Sequence, residues 1–89
     1  MISIAFSPAF HRSFKKIYKN QPSRQAIFQQ KISLFITDPF HPQLRTHKLS
    51  GNLKSFYAFS IEYDIRIIFY FSSESEVIFQ DIGSHDEVY

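Results

Sequence analysis

The sequence predicts an α+β domain: one N-terminal strand, an antiparallel helix hairpin, then a three-stranded antiparallel run, forming a single mainly antiparallel sheet packed on two helices. Three observations carry this. Apolar residues alternate at the start and through the second half, they recur at helical spacing in between, and the links between elements are short.

In "ISIAFSP", Ile2, Ile4 and Phe6 alternate with Ser3, Ala5 and Ser7, the period of a half-buried strand. Ser7 followed by Pro8 reads as a helix N-cap with proline at the first helical position. Phe10, Phe14, Ile17 and Tyr18 then form an apolar stripe, with Arg12, Lys15, Lys16 and Lys19 mostly on other faces. Residues 20–23 break that helix, and Pro22 or Ser23 starts a second one with Phe28, Ile32, Phe35 and Ile36 as its stripe. Asp38 before Pro39 ends it, because a residue preceding proline avoids helical dihedrals. So short a turn between helices predicts an antiparallel hairpin.

The runs "SFYAFSIE", "IRIIFYF" and "EVIFQDI" read as strands. Residues 67–71 are apolar on both faces, as for a central strand covered on both sides. The links "YD" and "SSESE" favour antiparallel neighbours. Between the helices and this run lie residues 38–53, sixteen residues without evident regular structure, long enough for a functional or mobile loop.

Eighty-nine residues make one domain, spanning 1–89. A chain of this size buries little more than ~60% of its unfolded surface. With 11 Phe, 5 Tyr and no Trp, phenyl rings must fill most of the core. The absence of cysteine excludes disulfides, thiolate metal sites and thiol nucleophiles. No apolar stretch approaches the ~20 residues of a membrane span, and no signal-like N-terminus precedes the first strand, so a cytoplasmic protein is expected.

The net charge of +2 conceals a split. Residues 1–54 hold nine Lys/Arg and one acid, whereas residues 55–89 hold one base, Arg66, and seven acids. A basic surface suited to a polyanion or an acidic partner follows. The four His lack metal-site spacing, and no glycine-rich phosphate loop exists, so neither a metal nor another cofactor is expected.

Phosphodiester chemistry fits the remaining residues. Cleavage of RNA through its own 2′-hydroxyl needs a base, an acid for the departing 5′-oxygen, and cations around the phosphorane. His47 in the loop and His85 near the end are exposable imidazoles, and an imidazole exchanges protons near neutral pH. Asp64 sits at a strand connection, and Arg45, Lys48, Lys54 and Arg66 supply cations. Arg66 stands at the edge of an apolar strand, where a charge needs a partner, and Glu62 or Asp64 would serve.

"LRTHKLSGNLKSFYAFSIEYDIRIIFYF" followed by "IFQDIGSHDEVY" resembles the RelE/ParE superfamily of bacterial toxins, nearest its YafQ-like and RelE-like branch. The opening strand, the basic helix pair and the "DPF" helix exit are similar too. The resemblance implies a type II toxin that cleaves mRNA in the ribosomal A site without a metal, leaving a 2′,3′-cyclic phosphate. It implies a monomeric toxin that assembles with a neutralising antitoxin into a hetero-oligomer. Residue by residue, it implies catalytic roles for His47, Asp64, His85 and Arg66. His85 would be the acid, and either His47 or Asp64 the base. RNA contacts would come from Arg45, Lys48, Lys54 and Tyr89, with the Tyr89 ring stacking on a base.

Three positions depart from the pattern. Ser60 stands where YafQ-like members carry a second histidine, Asp81 where they carry an arginine, and Ser55 where glycine is common. The alternatives are a ParE-like, non-catalytic inhibitor of DNA gyrase and a weakened toxin acting as a binding module. The ending "DIGSHDEVY" has a reading of its own: Gly83 turns the chain out of the sheet, and Val88 and Tyr89 pin the tail. That would set His85 beside the loop carrying His47 and Lys48.

Overall fold

A computed structural model describes residues 1–53 and 55–88. Over them the chain runs β1 (Ser3–Phe6), α1 (Pro8–Tyr18), α2 (Pro22–Thr37), β2 (His47–Lys48), β3 (Tyr57–Glu62), β4 (Ile65–Phe71), β5 (Glu76–Gly83) and α3 (His85–Val88). Lys54 and Tyr89, both expected to contact RNA, lie outside the described residues.

Both long helices begin and end as their residues dictate. The Ser7 hydroxyl accepts from the Phe10 amide at 3.0 Å, capping α1, and Pro8 occupies its first turn. The same hydroxyl donates to the Gln80 carbonyl at 2.6 Å, tying the start of α1 to β5. Asn20, at φ 58°, turns the chain between the helices in the left-handed region that asparagine tolerates better than most residues. Asp38 caps the far end of α2: its amide donates to the Leu34 carbonyl at 2.9 Å, and its carboxylate accepts from the Phe40 amide.

The five strands form one sheet in the order β1-β5-β4-β3-β2. β1 pairs with β5 in parallel, and the other neighbours are antiparallel. β4 is central, and Ile67, Ile68 and Phe69 within it are buried. α1 lies against β5 and α2 against β3, while α3 folds back onto β4 and β5.

The core between helices and sheet is aromatic. Phe35 of α2 stacks on Phe59 with centroids 4.6 Å apart, and meets the edges of Phe69 and Phe79 at 5.0 and 5.4 Å. Phe14 and Tyr18 of α1 meet Phe28 of α2 at 4.8 and 5.7 Å, which locks the hairpin. Each buried ring contributes about 1.5–3 kcal/mol by leaving water. Offset and edge-on pairs add about 0.5–1.5 kcal/mol each.

Two expectations are corrected here. Residues 38–53 are not irregular: they contain 3₁₀ turns at Pro42–Leu44 and Gly51–Leu53, with β2 between them pairing with β3. A two-residue strand is too short to show a period. Gly83 is not the turn that leaves the sheet. It is a buried strand residue opposite Arg66, and the chain turns only at Ser84.

Candidate functional site

Register brings the site together at one end of the sheet. Ser60, Arg66 and Gly83 stand in one row across β3, β4 and β5. Glycine puts no side chain beside the Arg66 guanidinium. Two residues past Gly83, His85 opens α3. The link between Glu62 and Ile65, which pair with each other, is Tyr63-Asp64 alone, so Asp64 is held within two residues of Arg66. A carboxylate oxygen of Asp64 lies 4.0 Å from Arg66 Nη1.

From the other side, the 3₁₀ turn after α2 ends on Arg45, at φ 55°. A non-glycine residue in this region costs on the order of 1 kcal/mol or more, and such strain clusters at functional sites. Arg45, Asp64, Arg66 and His85 line one concave pocket of about 570 Å³, together with Lys31, Gln43, residues 60–62 at the end of β3 and Tyr63 of the link that follows. Three cations therefore face a pocket that also holds two carboxylates and an imidazole.

Glu62, the second acid here, is already engaged. Arg24 of α2 holds it through Nε to Oε1 and Nη2 to Oε2, each 3.1 Å, and the Tyr18 hydroxyl donates to Oε2 at 2.8 Å. The Arg24 hydrogen bond is the main force drawing the Glu62 carboxyl below its ordinary range, although partial burial opposes it. The same bond raises the Arg24 guanidinium. Burial first, then Glu62, pushes the Tyr18 phenol well above its ordinary value. Of the two partners expected for Arg66, Glu62 is thus bound elsewhere and Asp64 is the neighbour.

His47 does not line this pocket. It sits on β2 opposite Ala58, in the row next to that of Ser60 and Arg66 and on the same sheet face, on the order of 7 Å along the strands. His47 Nδ1 lies 3.1 Å from the Arg45 carbonyl oxygen. A carbonyl only accepts, so this hydrogen bond places the proton on Nδ1 and, in the neutral ring, the lone pair on Nε2. Lys48 is exposed beside it on β2. His85 shares its pocket with Gln43 and Arg45, which belong to the segment that also carries His47 and Lys48, although neither of those two lines it. Among the described residues, no group of three His, Asp or Glu side chains is placed to share a metal ion.

Asp81 serves the fold. A register shift between β4 and β5 beside it leaves Gln80 unpaired, and the Asp81 carboxylate accepts from the Ser13 hydroxyl and the Ile82 amide, both at 2.8 Å. It ties α1 to β5 and lies outside the Arg66 pocket. Sequence reasoning missed Lys31, Gln43 and Tyr63. Lys31 is hidden among the other bases of the helix pair, and nothing in a two-residue link marks its aromatic as a pocket residue. No helix among the described residues is long and apolar enough to cross a membrane.

A copper-bound mutant toxin from Helicobacter pylori is 25% identical, with 100% of both chains covered and a TM-score of 0.77. YafQ from Escherichia coli BL21(DE3) is 16% identical over 100% of this chain and 99% of that one, with a TM-score of 0.79. The E. coli DinJ–YafQ toxin–antitoxin complex gives 19% identity, 99% and 97% coverage and a TM-score of 0.78. No curated protein matches the sequence at a significant level. A profile of the YafQ family of bacterial toxins matches residues 2–89, nearly the whole chain whose α+β fold has been described, and the protein belongs to that family of type II toxin–antitoxin toxins.

Proposed function

We propose that this toxin is an endoribonuclease that cuts mRNA in the ribosomal A site. One observation carries the reading: Arg45, Asp64, Arg66 and His85 meet in a single open pocket at the end of the sheet. Asp64 takes the proton from the 2′-hydroxyl, whose oxygen attacks the neighbouring phosphorus. The bond from phosphorus to the 5′-oxygen breaks, and His85 gives that oxygen its proton. The products are a 2′,3′-cyclic phosphate and a 5′-hydroxyl. Arg66 and Arg45 stabilise the phosphorane, which carries more negative charge than the substrate. Asp64 is assigned as base over His47 because it lines the pocket with His85. In the cell a cognate antitoxin silences the toxin, by analogy with the DinJ–YafQ complex.

Purified protein on programmed ribosomes tests the reading. His85→Ala is expected to cut about 10²–10⁴-fold more slowly with its thermal unfolding unchanged. Cleavage at the parental rate would remove His85 from the chemistry. Asp64→Asn and His47→Gln, compared in the same assay, decide the base: the larger loss, with the acid limb of the pH–rate profile abolished, belongs to Asp64.

A further inference from the structure

Tyr63 is the least expected residue in the pocket. It forms half of the two-residue link between β3 and β4 and is 99% exposed. Neither of the usual reasons for an aromatic residue applies to it. Packing does not explain it: among the described residues the other exposed rings rest on neighbours, Phe6 on Phe10 and Phe79, Phe40 on Tyr57 and Phe71. Turn chemistry does not explain it either, since tight hairpin links favour Asn, Asp or Gly for their positive φ and Tyr63 does not adopt one.

What the ring has is a fixed base beside a cationic pocket. Glu62 on one side is clamped by Arg24 and Tyr18 from the helix hairpin, and Asp64 on the other lies next to Arg66. A phenol ring on an anchored turn stacks on a flat ligand at little entropic cost. The pocket it borders offers guanidinium groups to a phosphate. The ligand combining an anionic group with an exposed flat face is an unpaired nucleotide, and single-stranded RNA presents both at every step.

We infer that Tyr63 is the stacking platform for a nucleobase flanking the phosphate held by Arg66, and so helps set where the RNA is cut. The inference rests on the nuclease reading. It adds a substrate-binding residue at the β3–β4 turn.

The experiment measures cleavage of mRNA on programmed ribosomes by the parent, Tyr63→Ala and Tyr63→Phe. Removing the ring is expected to lower kcat/KM roughly 5- to 100-fold, mainly through KM, while Tyr63→Phe stays within about twofold of the parent. Thermal unfolding should be the same for all three, since Tyr63 is almost wholly exposed. In an mRNA made abasic at the nucleotides flanking the cut, one at a time, one position should cost the parent as much as Tyr63→Ala does. Combining the two changes should then add little.

Parental activity in Tyr63→Ala overturns the inference, as does a Tyr63→Phe variant as slow as Tyr63→Ala, which would make the hydroxyl the working group. Normal cutting by Tyr63→Ala with weakened antitoxin binding would assign the ring to a protein partner instead. A parent that cuts no mRNA overturns the nuclease reading itself, and this inference with it.

Discussion

The two ends of β3 live in different chemistry. Phe59 sits in a closed aromatic cluster with Phe35, Phe69 and Phe79, all fully buried, and every ring there is held by others. Three residues on, Glu62 and then Tyr63-Asp64 emerge into an open pocket, where position depends on hydrogen bonds and ion pairs reaching in from the helices. The core is fixed by volume and the pocket by a few directional contacts. Mutations at the first should cost stability, and mutations at the second should cost function.

The largest effect tests the core side. Phe35→Ala, which removes the ring at the centre of the cluster, is expected to cost about 3–5 kcal/mol in urea or thermal unfolding. A loss near 1 kcal/mol would mean that the cluster repacks, and the contrast with the pocket would blur. Ser7→Ala is expected to cost about 1–2 kcal/mol, because one hydroxyl both caps α1 and holds it to Gln80 of β5. If unfolding of that variant matches the parent, the helix start is held by packing alone.

The smallest effect lies on the border between the regions. Arg24→Ala should cost only about 1 kcal/mol, since solvent screens a partly exposed pair, yet it should release Glu62 toward Arg66 and slow cleavage more than it destabilises the fold. Adding Glu62→Gln to Arg24→Ala should recover part of the rate. Acid titration supplies a further check. The folded state holds the Glu62 carboxyl below its ordinary range, so this stabilisation is complete above the ordinary glutamate pKa. It fades as pH falls through the lower folded value. In Arg24→Ala that acid-side decline in unfolding free energy should be shallower than in the parent.

The helix hairpin and the three long strands were legible because each carries its own period. The Phe28–Ile32–Phe35 spacing, the Ser7-Pro8 start and the alternation through Tyr57, Phe59 and Ile61 are local signals, and they match the observed α2, α1 and β3. β2 was not legible, since two residues show no period and its pairing with β3 depends on the left-handed turn at Arg45. The same holds for the site. Arg66, Asp64 and His85 stand out by residue type, but the grip of Arg24 on Glu62 spans 38 positions and belongs to the tertiary structure alone. Whether His47 lines the pocket turned on a strand register, which no inventory of charged residues contains.

The parallel pairing of β1 with β5 has a consequence for how the toxin comes into being. Ser3 lies opposite Glu76, so the first strand is made long before its partner. At ordinary synthesis rates of about 5–20 residues per second, that wait lasts roughly 4–15 s. Pairings so distant along the chain also slow folding after release. β1 stays an unpaired edge until β5 arrives, and β5 is the strand that leads directly into His85. Completion of the sheet and delivery of the proposed acid are therefore nearly one event. A nascent toxin therefore spends most of its synthesis with both its sheet and its proposed acid incomplete.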